Sequence, residues 1–364
     1  MQTNRRWLVV TLFTLAITLG WVAAVLIHAG GDPKLFALIG TKFNEHDPAG
    51  SVGYDGQFSY YIATEGIAAS PKLDIATYRY QRLLYPLLGG LLSFGQTGLA
   101  AWTLIAINVI ALTATTGLLA IWLERYQMSP WYALVFASWV GCLLVIRMDL
   151  NELLCMSLGV AGLLLILDGQ IRQMRLATLM LALSALTKDM GFVFIGAAML
   201  YLWFSERRTA LLVGIGASLP YVLLAILLQV TFAKSNIGIY QGPPLSIVPF
   251  AGYTMAKSTV ELWLMVWWLI IPAVLLGGMA AFQLLVKRQV SLPTCLVLGA
   301  ALWVIYLPGA SAYDLIAAYR VAAPIVPAGV LFAGSLRQGR LLLGLTILWV
   351  PALLQVLLLP GFFF

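Results

Sequence analysis

Eleven apolar stretches dominate this sequence and leave few places for polar chemistry. They run approximately over 7–28, 98–123, 130–147, 150–168, 176–187, 190–204, 210–233, 259–286, 292–309, 320–336 and 341–360. A helix rises 1.5 Å per residue and a bilayer's hydrocarbon core is about 30 Å thick, so a span takes about 20 apolar residues. Charged residues make up 10% of the chain and its mean hydropathy is +0.94, whereas a soluble domain carries about 25% charge. The expected fold is an all-α integral membrane protein of about eleven transmembrane helices, with residues 1–364 forming one transmembrane domain. The first run is read as a retained helix, because it is long and its cleavage cues are weak.

The net charge of +7 loses its suggestion of nucleic acid once the charges are placed. Basic residues gather in short loops: Arg5/Arg6, Arg125, Arg172/Arg175, Arg207/Arg208, Lys287/Arg288 and Arg337/Arg340. The positive-inside rule assigns these to the cytoplasm. That side holds eleven basic residues against three acids (Glu124, Asp168, Glu206), a net of +8, and the rest of the chain carries −1. Charge therefore reports topology, with the N-terminus inside and the C-terminus outside. The cysteines, Cys142, Cys155 and Cys295, lie inside apolar runs and imply neither a disulfide framework nor a zinc site. The sequence has no nucleotide-binding glycine loop and no HExxH.

Two places interrupt the pattern. Segments 176–187 and 190–204 are short for spans, and the basic loops on either side favour a hairpin over one bent span, with Thr187-Lys188-Asp189 at a recessed outward tip. The first outward loop, 29–97, is the long polar stretch near the front. Within it, Leu83 to Phe94 is apolar but too short to cross, and is expected to lie along the outer interface. Residues 56–67 form a second candidate of this kind, since Phe58, Tyr61 and Ile62 share a helical face.

That loop carries Gly53-Tyr54-Asp55-Gly56-Gln57-Phe58. Asp55, between Tyr54 and Gln57, is a candidate general base for an acceptor hydroxyl; otherwise it caps the helix starting at Gly56. Arg79 and Arg82, three residues apart, could grip a phosphate with planar guanidinium forks, or anchor to headgroups, or pair with Asp74. Arg320 is a further phosphate candidate, against a structural pair with Asp314. Lys188 binds an anion or merely neutralises Asp189. Arg147, Asp149 and Glu152 are pocket residues or a self-satisfied turn. Glu45 and Asp47, flanking His46, are weak metal candidates, since oxygen sites need several converging ligands. Residues Tyr240 to Pro249 read as a mobile lid or a proline-rich loop, bracketed by Lys234 and Lys257. Charges at membrane depth are costly and usually functional, so this outward set suggests one polar pocket.

The string GYDGQFSYYIATEG, followed by YRYQRLLYPLL, resembles the first outward loop of family C membrane glycosyltransferases (GT-C), in particular the mannosyltransferase-like branch. RMDLNELL and LTKDMGF are similar to later turns of that branch. The resemblance covers about half the chain and is topological after about residue 205. It implies a GT-C-like fold and transfer of a sugar from a polyprenyl-phosphate donor on the non-cytoplasmic face, as in a bacterial inner membrane. The family's loop-one acid maps to Asp55. Many relatives carry two adjacent acids there, whereas Tyr54 and Gly56 flank Asp55 here, so a second acid must come from Asp47 or Glu152.

The expected function is an inverting hexosyltransferase in cell-surface glycan synthesis, acting on an acceptor glycan, lipid or protein. Asp55 is the base, and Arg79, Arg82, Lys188 and Arg320 hold the phosphate. The sequence requires no cofactor, leaves room for a divalent metal, and implies membrane lipids but no nucleic acid as partners. A polytopic transporter or lipid flippase is the alternative.

Overall fold

The computed structural model describes residues 5–28, 30–167, 169–232 and 247–358. The proposed lid residues Lys234, Tyr240, Pro243 and Pro244, and the cytoplasmic acid Asp168, lie outside the described residues. Among those described there are helices and no strands.

Each of the eleven apolar stretches contains helix, but the lengths divide them. Five helices are long and apolar enough to cross a membrane: Arg6–His28, Thr97–Arg125, Arg207–Phe232, Thr259–Leu285 and Gly339–Val356. Two bent pairs raise the number to seven, Pro130–Ala137 with Val140–Arg147 at 51° and Leu315–Val321 with Ile325–Ser335 at 41°. The other four are Glu152–Leu167, Ile171–Thr187, Gly191–Ser205 and Leu292–Ile305, of 16, 17, 15 and 14 residues. At 1.5 Å per residue these reach only about 21 to 26 Å. The chain is thus an all-helical protein with five to seven span-capable helices, as a multi-pass membrane protein would have.

The short helices are central. Glu152 meets Lys188 at the start of one helix and just past the end of another. Further along, the Cys155 carbonyl accepts from the Ser184 hydroxyl, and a Cβ on Gly162 would touch Leu181. Glu152–Leu167 and Ile171–Thr187 therefore run antiparallel. Gly159 abuts the Phe194 ring, so Gly191–Ser205 turns back beside Glu152–Leu167. The segment 176–204 is a hairpin broken at Lys188, as its flanking charges suggest, although its first arm begins at Ile171.

The basic loops gather at the opposite end of this bundle. The Trp7 N–H donates to Glu124 at 3.0 Å, joining the start of the first helix to the end of Thr97–Arg125. Trp122 Nε1 donates to the Leu331 carbonyl, and Trp122, Leu167, Leu292 and Leu331 line one small cavity. Arg175 and Glu206 line another between neighbouring helix ends.

At the other end the first loop folds into its own layer. Its helices are Gly56–Glu65, Ala76–Tyr80 and Leu84–Leu92. Phe58, Tyr61 and Ile62 are buried, together with Tyr60. The Leu84–Leu92 helix packs close because Gly89 and Gly90 carry no Cβ: one would meet Leu104 and the other the Ala63 carbonyl, each at 2.6 Å. Leu87, Leu91 and Leu92 remain exposed, which fits a helix lying along an interface.

Candidate functional site

Asp55 is held by its neighbours before any charge is considered. Gly53 has φ +68° and sits within 2.6 Å of Leu38 and Gly40 backbone atoms at its Cβ position, a place only glycine fills without strain. Buried Gln57 staples the loop, accepting from the Gly40 N–H and donating to the Val52 carbonyl. Gly56 lies so close to the Met148 carbonyl that a Cβ would approach to 2.0 Å. Asp55 makes no side-chain cap to the helix it precedes. Its carboxylate goes to two arginines instead, and the capping explanation fails.

Both carboxylate oxygens are used. Oδ1 lies 3.0 Å from Arg79 Nη2 and Oδ2 2.8 Å from Arg320 Nη2. Arg320 reaches on with Nη1 to Glu152 Oε1 at 2.7 Å, and Lys188 Nζ shares that oxygen at 2.5 Å. Residues 265 positions apart thus join in one chain of alternating charge. Among the described residues Glu152 Oε2 and Arg320 Nε have no hydrogen-bond partner. Arg79 is fixed by Asp74, which takes Nε at 2.7 Å and Nη2 at 2.6 Å, and its guanidinium lies 4.2 Å over the Phe58 ring. Arg82 makes no such pair. It donates to the Tyr78 hydroxyl and lies 4.2 Å over that ring.

Burial alone would raise the Asp55 carboxyl, but the positive charges of Arg79, then Arg320, Arg82 and Lys188, more than reverse this. The group is held well below the ordinary carboxylate range. Arg79 is raised in turn: burial opposes its charge, and Asp55 and Asp74 outweigh it.

Two cavities flank the cluster. A polar one of about 360 Å³ is lined by Asp55, Tyr78, Arg82, Lys188, Asp189, Tyr221 and Arg320, with Trp303, Pro308 and Ser311 at the end of the Leu292–Ile305 helix. A largely apolar one of about 730 Å³ is lined by Tyr54, Leu144, Leu264, Ile316 and Tyr319, with Arg147, Lys257, Glu261 and Asp314 among them. Tyr54, with Arg320 5.3 Å over its ring, adjoins both the acid and the larger space. Three short helices reach the polar cavity, through Lys188 after Ile171–Thr187, Phe192 of Gly191–Ser205 and Trp303 of Leu292–Ile305. The Leu84–Leu92 helix is not its roof, since only Pro86 reaches the small recess beside Asp55.

The sequence candidates therefore separate. Asp55, Arg79, Arg82, Lys188, Glu152 and Arg320 come together, and Asp189 lines the same cavity while accepting from the Met190 N–H. Neither bland pairing holds: Arg320 does not pair with Asp314, which caps its own helix at the Ala317 N–H, and Lys188 pairs with Glu152. The Arg147–Glu152 turn is not self-satisfied. Arg147 donates to the Leu35 carbonyl and faces the apolar cavity, and Asp149, at φ +48°, is buried with neither oxygen partnered. Gln57 is structural. Glu45 and Asp47 are exposed and line neither cavity, and Asp47 caps the Ala49 N–H. Among the described residues no three His, Cys, Asp or Glu side chains gather as a metal set. The Arg320 guanidinium bridges Asp55 and Glu152.

The pairing with Asp74, the structural alternative for Arg79 and Arg82 in the sequence, holds for Arg79. Sequence reasoning left Tyr78 and Tyr221 out of the site. Compared with family models, curated proteins and solved structures, the chain has no match.

Proposed function

We propose that the chain is a membrane glycosyltransferase that moves a sugar from a polyprenyl-phosphate donor to an acceptor hydroxyl. The observation that carries this reading is one carboxylate, Asp55, facing a cavity with Arg82, Lys188 and Arg320, beside a large apolar space. Asp55 takes the hydroxyl proton. The hydroxyl oxygen bonds to the anomeric carbon from the face opposite the phosphate, inverting it, and the C–O bond to the phosphate breaks. The departing phosphate gains negative charge next to preorganised cations, an arrangement worth roughly 3–4 kcal/mol per donor in comparable sites. In this reading the positive charge at the phosphate comes from side chains.

The resting carboxylate is a poor base while two arginines grip it. A bound phosphate competes for Arg320, and the carboxylate then recovers basicity as the acceptor arrives. The apolar cavity suits a lipid chain. In this reading the eleven stretches all cross, the short ones beneath the cavity, with the basic end in the cytoplasm by the positive-inside rule. The site then faces the opposite side, that of the bacterial periplasm.

A transporter or flippase usually places its ionisable groups near mid-depth on broken helices. Here they cluster at the end away from the basic loops, which favours the enzyme. The deciding experiment incubates purified protein in lipid with a labelled polyprenyl-phosphate sugar and candidate acceptors. Glycosidic product that disappears in Asp55→Asn, at equal protein level, supports the reading. Translocation of labelled lipid with no product refutes it.

A further inference from the structure

Arg79 and Arg82 look interchangeable in the sequence, three residues apart beside tyrosines, yet their surroundings differ. Arg79 has two carboxylate partners. Asp74 grips it in parallel fashion through Nε and Nη2, and the remaining reach of Nη2 goes to Asp55 Oδ1. Its face is covered by Phe58. A guanidinium committed in this way keeps only Nη1 for a phosphate, and Arg79 does not line the polar cavity. Arg82 has no carboxylate partner among the described residues, and it lines the polar cavity with Lys188 and Arg320. A planar fork whose one hydrogen-bond partner is a phenol is free to take a phosphate bidentately.

Resting on the glycosyltransferase reading, we propose a division of labour: Asp74 acts through Arg79 as a positioning residue for Asp55, and Arg82 recognises the donor phosphate. Asp74 fixes the guanidinium in plane and Arg79 fixes Oδ1. Arg320 holds Oδ2, and it is the partner that an arriving phosphate can draw off. Oδ1 thus stays in place while Oδ2 turns to the acceptor proton. Asp74 itself is partly exposed and lines neither the polar nor the apolar cavity, so it acts at one remove from the reacting atoms.

The test is steady-state kinetics with a labelled short-chain polyprenyl-phosphate sugar, on Asp74→Ala, Asp74→Glu and Arg82→Ala, each checked for monodisperse yield. Misplacing a catalytic group by about 1 Å costs on the order of 10²-fold in rate. Asp74→Ala is expected to lower kcat by about that factor while leaving the donor KM within about twofold. Asp74→Glu, which keeps the carboxylate, recovers most of the loss. Arg82→Ala instead raises the donor KM about tenfold or more, the signature of lost ground-state binding, and weakens inhibition by sugar-free polyprenyl phosphate. If Asp74→Ala raises the donor KM at unchanged kcat, Arg79 is itself a phosphate ligand and the division is wrong. A wild-type kcat in Asp74→Ala, or no rescue by glutamate, also overturns it. Absence of transfer by the wild-type protein refutes the glycosyltransferase reading, and this proposal with it, before any variant is compared.

Discussion

Removing Glu152 tests whether the charge chain is a built structure. Its Oε1 receives both Lys188 and Arg320, at 2.5 and 2.7 Å, and Glu152 is fully buried. Breaking a buried pair by deleting one partner typically costs about 3–5 kcal/mol, because an uncompensated charge stays behind. Arg320 retains Asp55, so the cost of Glu152→Ala falls mainly on Lys188, which is 2% exposed and has no other carboxylate within pairing distance. Lys188 can shed its proton, which limits the penalty. The expected loss is therefore near the lower end, about 3 kcal/mol, a large share of the roughly 5–15 kcal/mol typical of a fold. Denaturant unfolding in a mild detergent should show a lower midpoint at unchanged slope. Glu152→Ala with Lys188→Met removes both charges, and at least half the loss should return, since well-packed apolar replacements of buried pairs are often tolerated. An unchanged midpoint in Glu152→Ala, or no recovery in the double variant, would refute the reasoning.

Three further outcomes follow from the same geometry. Asp55→Asn should abolish labelled-sugar transfer while leaving polyprenyl-phosphate binding intact; full transfer rules Asp55 out as the base. Arg79→Gln removes the largest attractive charge on Asp55, so the carboxyl rises, with Arg320 still holding it below its ordinary value. A base acts only when deprotonated, so the variant's acid limb should lie at higher pH than that of the wild type; superimposable acid limbs would contradict the assignment. Gly56→Ala places a Cβ 2.0 Å from the Met148 carbonyl, and should cost about 1–3 kcal/mol by overpacking with reduced transfer, read by unfolding and by the same assay.

The helices were legible because apolar composition over a stretch is a local property. All eleven stretches contain helix, and the hairpin broken at Lys188 followed from the charges flanking it. Their lengths were not legible. Glu152–Leu167 begins at the charge chain and Leu292–Ile305 ends beside the polar cavity, and both features are made by elements distant in the chain. The site divided along the same line. Asp55 stood out through its aromatic and glycine neighbours, but of the charges read as one set Asp47, Arg147 and Asp314 make contacts elsewhere. Which cation meets which acid depended on contacts such as Arg320 to Asp55, across 265 positions, and no spacing rule reaches that far. Asp314 and Asp189 were attractive partners only because they were near in sequence; each instead caps or braces its own turn.

In the proposed reaction the charge chain would let a lone first-loop acid suffice. Two adjacent carboxylates would repel each other and need a cation between them to stay ionised. This chain separates its two acids in sequence and inserts Arg320 between them in space, with Lys188 on the far side of Glu152. Glu152 therefore serves as the counter-charge that keeps two cations at the cavity while remaining out of reach itself. In the proposed reaction an incoming phosphate finds those cations already in place and desolvated. Glu152 can hold Lys188 and one arm of Arg320 throughout, so only the arm on Asp55 needs to move. Releasing one hydrogen bond from a carboxylate that keeps Arg79 is a small rearrangement, and it makes basicity at Asp55 conditional on the donor being bound.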